Sequence, residues 1–130
     1  RKFQNSSTLI THAGADIFPR ECYNSDDWYH QLALLDVDGA LKYGELVSVD
    51  AAGPLCFGGD YYARDRQLPD PVAGDRLVIR DIGANTFALW SRHCSRPFPK
   101  VIAYSSSQDG EDICVIKHKE SVSELVAFWS

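Results

Sequence analysis

The residues best placed to do chemistry lie in one short stretch, Val49-Asp50-Ala51-Ala52-Gly53-Pro54-Leu55-Cys56-Phe57-Gly58-Gly59-Asp60. Gly53, Pro54, Gly58 and Gly59 force a tight, irregular backbone and set one thiol, Cys56, and one carboxylate, Asp60, at fixed offsets within it. Loops constrained in this way hold reactive groups on a rigid scaffold; the competing reading is a buried cysteine packed beneath a turn. A second stretch is Asp81-Ile82-Gly83-Ala84-Asn85-Thr86, where Gly83 lets the chain leave a strand. Asn85 there can offer an amide donor to a phosphate or carboxylate, or can close an Asx-turn. A third, Trp90-Ser91-Arg92-His93-Cys94-Ser95-Arg96-Pro97, puts Arg92, His93 and Arg96 in one loop. Paired arginines can fork onto an anion or tie a loop to acidic neighbours. His12, near Asp16, Arg20 and Tyr23, reads as structural.

The chain has no serine triad, HExxH, GxGxxG or Walker motif. Cys22, Cys56, Cys94 and Cys114 never form a CxxC pair, which argues against zinc. Two disulfides are arithmetically possible, but reduced and mostly buried thiols are the expectation for so apolar a chain.

The elements that must hold these residues are short and β-flavoured, broken about every ten residues by Gly, Pro, Asp or Asn, as in an all-β sandwich or barrel. Strands are expected over Ser7 to His12, Tyr29 to Leu35, Glu45 to Val49, Arg76 to Asp81, Phe87 to Ser91, Lys100 to Tyr104 and Ile113 to His118. Turns are expected at Asp38-Gly39, Ala73-Gly74-Asp75 and Asp109-Gly110. Arg76 to Asp81 alternates only partly and reads as a central strand covered on both faces. Only the last ten residues look helical: Ser121-Val122-Ser123-Glu124 fits a capping box. Val122, Leu125, Val126 and Trp129 then form one apolar stripe, expected to lie as a lid on the core.

At 130 residues and 45% hydrophobic content the chain can bury a core, so one compact domain is expected and a disordered linker is excluded. Thirteen Lys and Arg against eighteen Asp and Glu give a net charge of −5, which argues against nucleic-acid binding. No apolar run approaches the roughly 20 residues of a membrane helix. The chain has no Met and begins at Arg1, which predicts a processed or trimmed piece of a longer protein. No signal or transit peptide opens it.

Taken in order, Gly53-Pro54-Leu55-Cys56 with Asp60, Leu68-Pro69, Gly74-Asp75, Gly83-Ala84 with Thr86, Ser91-Arg92, Ser95-Arg96-Pro97 and the closing Lys119-Glu120-Ser121 resemble a known pattern. They are similar to the C-terminal β domain of the fold-type III pyridoxal-phosphate decarboxylases, the diaminopimelate, ornithine and arginine decarboxylase group, and most of all to its diaminopimelate branch. The likeness runs from about residue 47 to the end; earlier, His12-Ala13-Gly14 and Arg20 to Tyr23 occupy the place of the group's Asp-x-Gly and Arg-Pro-x-x-Tyr segments.

The resemblance implies a mainly β fold for residues 1–130, a Greek-key-like β-barrel or sandwich like the alanine racemase C-terminal domain, with a short C-terminal helix. It implies an α/β barrel elsewhere in the protein that holds most of the pyridoxal phosphate, and a head-to-tail homodimer with an amino-acid substrate. Cys56 would return a proton to the carbanion left when carbon dioxide departs, and Asp60 would shape the substrate-amine side of the loop. Two positions depart from the pattern. Phe57 stands where the group places Asp or Glu to hold a distal amine, and Asn85 stands where a Tyr hydroxyl reaches the cofactor phosphate. The substrate-binding expectation therefore falls on Asp60 and Phe57, and the cofactor-binding one on Asn85. The leading reading is the C-terminal domain of a divergent amino-acid decarboxylase, cytoplasmic, or organellar if a transit peptide precedes the given sequence, without nucleic-acid or membrane partners, inactive by itself. The alternative is a non-catalytic decarboxylase-like regulator; a free-standing ligand-binding β domain ranks third.

Overall fold

Val49 has no solvent exposure, and around it β-branched and small apolar residues build the first of three sheets. In a computed structural model, residues 7–24, 27–107 and 110–130 are described. The turn expected at Asp109-Gly110 therefore lies partly outside the described residues. The chain divides into two units, Arg1–His93 and Cys94–Ser130.

In the first unit, β1 (Ser7–Ile10) pairs parallel with β3 (Leu46–Ala52), which pairs antiparallel with β4 (Tyr61–Pro69). The ladder continues past β1, where the Thr11 amide donates to the Ala52 carbonyl at 2.9 Å, and this sets the next residues beside the end of β3. β4 carries two extra residues against β3: Val49 faces Arg66, Ala51 faces Ala63 and Ala52 faces Tyr61. Asp65 takes up the first of these bulges at φ 50°, and its amide donates to Asp50 Oδ1 at 2.8 Å. A second sheet pairs β2 (Leu32–Leu35) with β5 (Arg76–Ile79), antiparallel. Phe18, Ala51, Tyr62 and Ala63 are buried together, with Ile17, Cys22, Leu32, Leu77 and Ile79 packed against them. The Phe18 and Tyr62 rings lie 5.1 Å apart, an aromatic pair worth about 1 kcal/mol beyond its buried area.

In the second unit, β6 (Val101–Ser107) and β7 (Gly110–Lys117) form an antiparallel hairpin, followed by α3 (Val122–Trp129). The capping box is present: the Glu124 amide donates to Ser121 Oγ at 3.2 Å and the Ser121 amide to Glu124 Oε2 at 2.7 Å.

The mainly β class and the C-terminal helix stand as expected, and the described strands form three separate sheets without closing a barrel. Several local expectations change. β4, the longest described strand, was not anticipated: its Arg64-Asp65-Arg66-Gln67 run is polar throughout, and an edge strand can present such residues to water. Phe87 to Ser91 is not a strand: Ala84–Ala88 forms a helical turn, and the Leu89 amide donates to the Asn85 and Thr86 carbonyls. That run has no β-branched residue and no alternation, so local bonding wins. A further short helix, Pro19–Tyr23, has Pro19 in its first turn. β5 is no central strand; among the described residues it pairs only with β2, and it is at most half-buried. In α3, Val122, Val126 and Trp129 are 60–77% exposed.

Candidate functional site

The Gly- and Pro-rich stretch is the connection from β3 to β4, and its shape is fixed from within. The Gly53 amide donates to the Asp60 carbonyl at 2.8 Å, the Asp60 amide to the Phe57 carbonyl at 3.2 Å, and the Tyr61 amide to the Gly59 carbonyl at 2.7 Å. The Asp60 side chain, 3% exposed, does more. Its Oδ2 accepts the Leu55 amide and its Oδ1 accepts the Ala15 amide, each at 2.7 Å. One carboxylate thus ties the loop to itself and to the segment after β1. Hydrogen bonds to a charged acceptor contribute about 1.5–3 kcal/mol each.

Two glycines make room for that carboxylate. A Cβ on Gly53 would come within 2.3 Å of Asp60 Oδ2 and 2.4 Å of the Gly14 Cα; one on Gly14 would lie 2.5 Å from Asp60 Oδ1. Buried Asp16 completes the anchor, accepting the Gly14 amide at 3.1 Å on Oδ1 and the Ser91 amide at 3.0 Å on its carbonyl. Above this base Cys56 is exposed, so the packed-beneath-a-turn reading does not hold.

Phe57 is half-buried and stacked. Its ring lies 6.1 Å from that of Tyr23, at 25°, and 5.7 Å from that of His93, at 17°. Tyr23 comes from the helix we label α1 (Pro19–Tyr23), and the preceding turn of α1 faces a different space. There Arg20, Glu21, Trp28, His30, Asn85 and Thr86 line a cavity of about 340 Å³. Asn85 belongs to α2 (Ala84–Ala88), the Arg20 guanidinium sits 4.6 Å over the Trp28 ring, and buried Glu21 pairs with His30. α1 therefore connects the neighbourhoods of Phe57 and Asn85.

The cysteines divide sharply. Cys22 packs against the core, and burial, reinforced by Asp60, Glu21 and Asp16, pushes its thiol up to about 12. Cys56, Cys94 and Cys114 are exposed, so the expectation of mostly buried thiols fails, while none of the four is in a disulfide. Burial likewise raises the Tyr62 phenol to about 12, although its hydroxyl lies 2.7 Å from Thr11 Oγ1.

With this geometry in place, the family model "pyridoxal-dependent decarboxylase, C-terminal sheet domain" matches residues 2–83. The chain belongs to that family. The diaminopimelate decarboxylase of Helicobacter pylori is 30% identical to it over 125 residues, covering 96% of the chain and 29% of the relative. A crystal structure of a diaminopimelate decarboxylase superposes with a TM-score of 0.84 at 27% identity, covering 99% of the chain and 31% of that protein. The Helicobacter pylori enzyme complexed with L-lysine gives 0.77 at 25%, covering 97% and 29%. The chain thus spans between 17% and 31% of the length of the relatives it matches.

Within the sheet domain, the four residues singled out from sequence take different places. Cys56 is presented to solvent, Phe57 is held by two rings, Asn85 lines the cavity behind α1, and Asp60 is turned inward with both oxygens occupied. Asp60 accordingly shapes the loop from beneath and offers no oxygen to a ligand. What sequence reasoning missed is the Tyr23 and His93 pair around Phe57, the Gly14 approach to Gly53 and the Glu21–His30 pair. The only advance signal for these was the clustering of glycines and polar residues after β1. Arg20, Asn85 and Thr86 offer hydrogen-bond donors on that wall, while Glu21 and Asp81 line the same cavity and no lysine does, so its lining is of mixed charge. Lys42 is engaged with Asp75 at 2.7 Å, and Lys2 lies outside the described residues. No helix is long and apolar enough to cross a membrane.

Proposed function

We propose that residues 1–130 are the C-terminal domain of a pyridoxal-phosphate-dependent amino-acid decarboxylase. The domain would deliver the Cys56 loop to an active site completed by the barrel of the other subunit in a homodimer. The observation that carries this is the loop itself: an exposed thiol on a backbone fixed by buried Asp60, in a chain of this family. Pyridoxal phosphate, held mainly by the barrel, supplies the electron sink that lets an amino acid lose carbon dioxide. Cys56 holds its proton on Sγ and passes it to the substrate Cα after that loss. Asp60 keeps the thiol in place through Leu55 and Ala15, and Asn85 with Arg20 orients the phosphate end. The chain alone releases no carbon dioxide. Four cysteines outside any disulfide fit a reducing compartment, which supports a cytoplasmic protein.

Cys56→Ala in the full-length protein tests this. Losing a positioned proton donor costs about 10²-fold or more in rate, or diverts the reaction to side products. An unchanged rate and product distribution would remove Cys56 from the mechanism. The regulatory alternative is motivated by Phe57 and Asn85. It predicts that the full-length protein releases no carbon dioxide from any amino acid and elutes as a mixed species with an authentic decarboxylase in gel filtration.

A further inference from the structure

Next to the exposed thiol the loop presents a fixed ring, that of Phe57. Tyr23 from α1, Phe57 from the β3–β4 loop and His93 form three layers of nearly parallel rings, although they lie far apart in the chain. The loop is shaped to allow it: a Cβ at Gly59 would sit 2.5 Å from Phe57 Cε2, so the ring folds back across a position where only glycine fits. Tyr23 is 73% exposed at the outer side of the stack.

A side-chain ammonium is recognised by a carboxylate that faces it. Among the described residues of the segments that surround the stack, each carboxylate already holds a partner within the chain. Asp60 accepts the Ala15 and Leu55 amides, Asp16 accepts the Gly14 amide, Glu21 pairs with His30, and Asp27 accepts the Asn24 side-chain amide at 2.6 Å. Ring faces attract cations too, but those of Phe57 are engaged with Tyr23 and His93.

Resting on the reading of Cys56 as an active-site thiol, we propose that the Tyr23–Phe57–His93 stack selects an amino-acid substrate with an apolar or aromatic side chain. It discriminates against a side chain that ends in an ammonium group. Phe57 is the residue that sets this preference, and Tyr23 and His93 position it.

The test uses the full-length protein and isothermal titration calorimetry with two product-type amines that cannot be decarboxylated, phenethylamine and cadaverine. Phenethylamine is expected to bind about tenfold or more tighter, the size of discrimination an apolar pocket achieves. Phe57→Asp should narrow or invert that ratio, and Phe57→Leu should keep it in the same direction. A purely structural role for Phe57 would weaken both amines equally. Cadaverine binding as tightly as phenethylamine in the unaltered protein, or phenethylamine not binding at all, overturns the proposal without recourse to any variant. A parallel assay of carbon dioxide release separates the two claims. Release from L-lysine but not L-phenylalanine sinks the selectivity and leaves the decarboxylase reading standing. A tenfold preference for phenethylamine with no release from any amino acid supports the selectivity and counts against decarboxylation.

Discussion

Asp60 decides whether Cys56 has a defined position. Its two oxygens satisfy two backbone amides, Leu55 within the loop and Ala15 outside it, and each would be orphaned by truncation. Unsatisfied buried donors cost about 1–3 kcal/mol each, so Asp60→Ala should destabilise the domain by about 2–6 kcal/mol. Hydrogen-exchange mass spectrometry should show faster amide exchange over residues 13–16 and 53–60 in that variant. Unchanged protection there would mean that the carboxylate is not the anchor. At the same scale, Cys22 and Cys56 contrast: one thiol is packed under the sheet and pushed up to about 12, the other is exposed. Because its folded value is raised, the stability that Cys22 contributes as a neutral thiol is complete below its ordinary value near 9 and fades as pH climbs toward 12.

Among the elements, the β3–β4 connection depends on two chains of backbone meeting without side chains between them. Gly53→Ala would drive a methyl to 2.4 Å from the Gly14 Cα, which is backbone and cannot swing aside. Overpacking of this kind costs about 1–3 kcal/mol, and a lowered midpoint in urea unfolding should report it; a midpoint equal to that of the unaltered protein would contradict the close approach. The loop was legible in the sequence because Gly, Pro, Cys and Asp at fixed spacing constrain the backbone locally. The capping box of α3 was legible for the same reason, since all its partners lie within one turn. β4 and α1 were not, because their assignment depends on partners far along the chain: β4 on β3, and α1 on the core beneath Phe18 and Cys22. The same distance hid the environment of Phe57. Its position in the loop could be read, but not the rings of Tyr23 and His93 that hold it.

For the molecule as a whole, acid sensitivity is set by carboxylates held in their charged form. The Lys42 ammonium, with the Val72 amide, keeps Asp75 below the usual carboxylate range, and the Ser121 backbone and hydroxyl do the same for Glu124. Depressed acids stabilise the fold above their ordinary pKa of about 4, and that contribution is lost as pH falls through the depressed values. Lys42→Met should therefore narrow the stability gap between pH 7 and pH 3, measured by thermal unfolding; an unaltered gap would mean that the pair is not a source of acid sensitivity. The chain spans less than a third of its relatives, and the functional claim concerns what its loop does within a complete protein. That claim is tested most directly by treating the full-length protein with iodoacetamide at pH 8 and mapping each cysteine by mass spectrometry against carbon dioxide release. Cys22 should stay unmodified, as its raised value of about 12 leaves about a thousandfold less thiolate than an ordinary thiol near 9. Activity should fall in step with modification of Cys56, and the amino-acid substrate should slow both. Full modification of Cys56 with undiminished release of carbon dioxide would contradict the account.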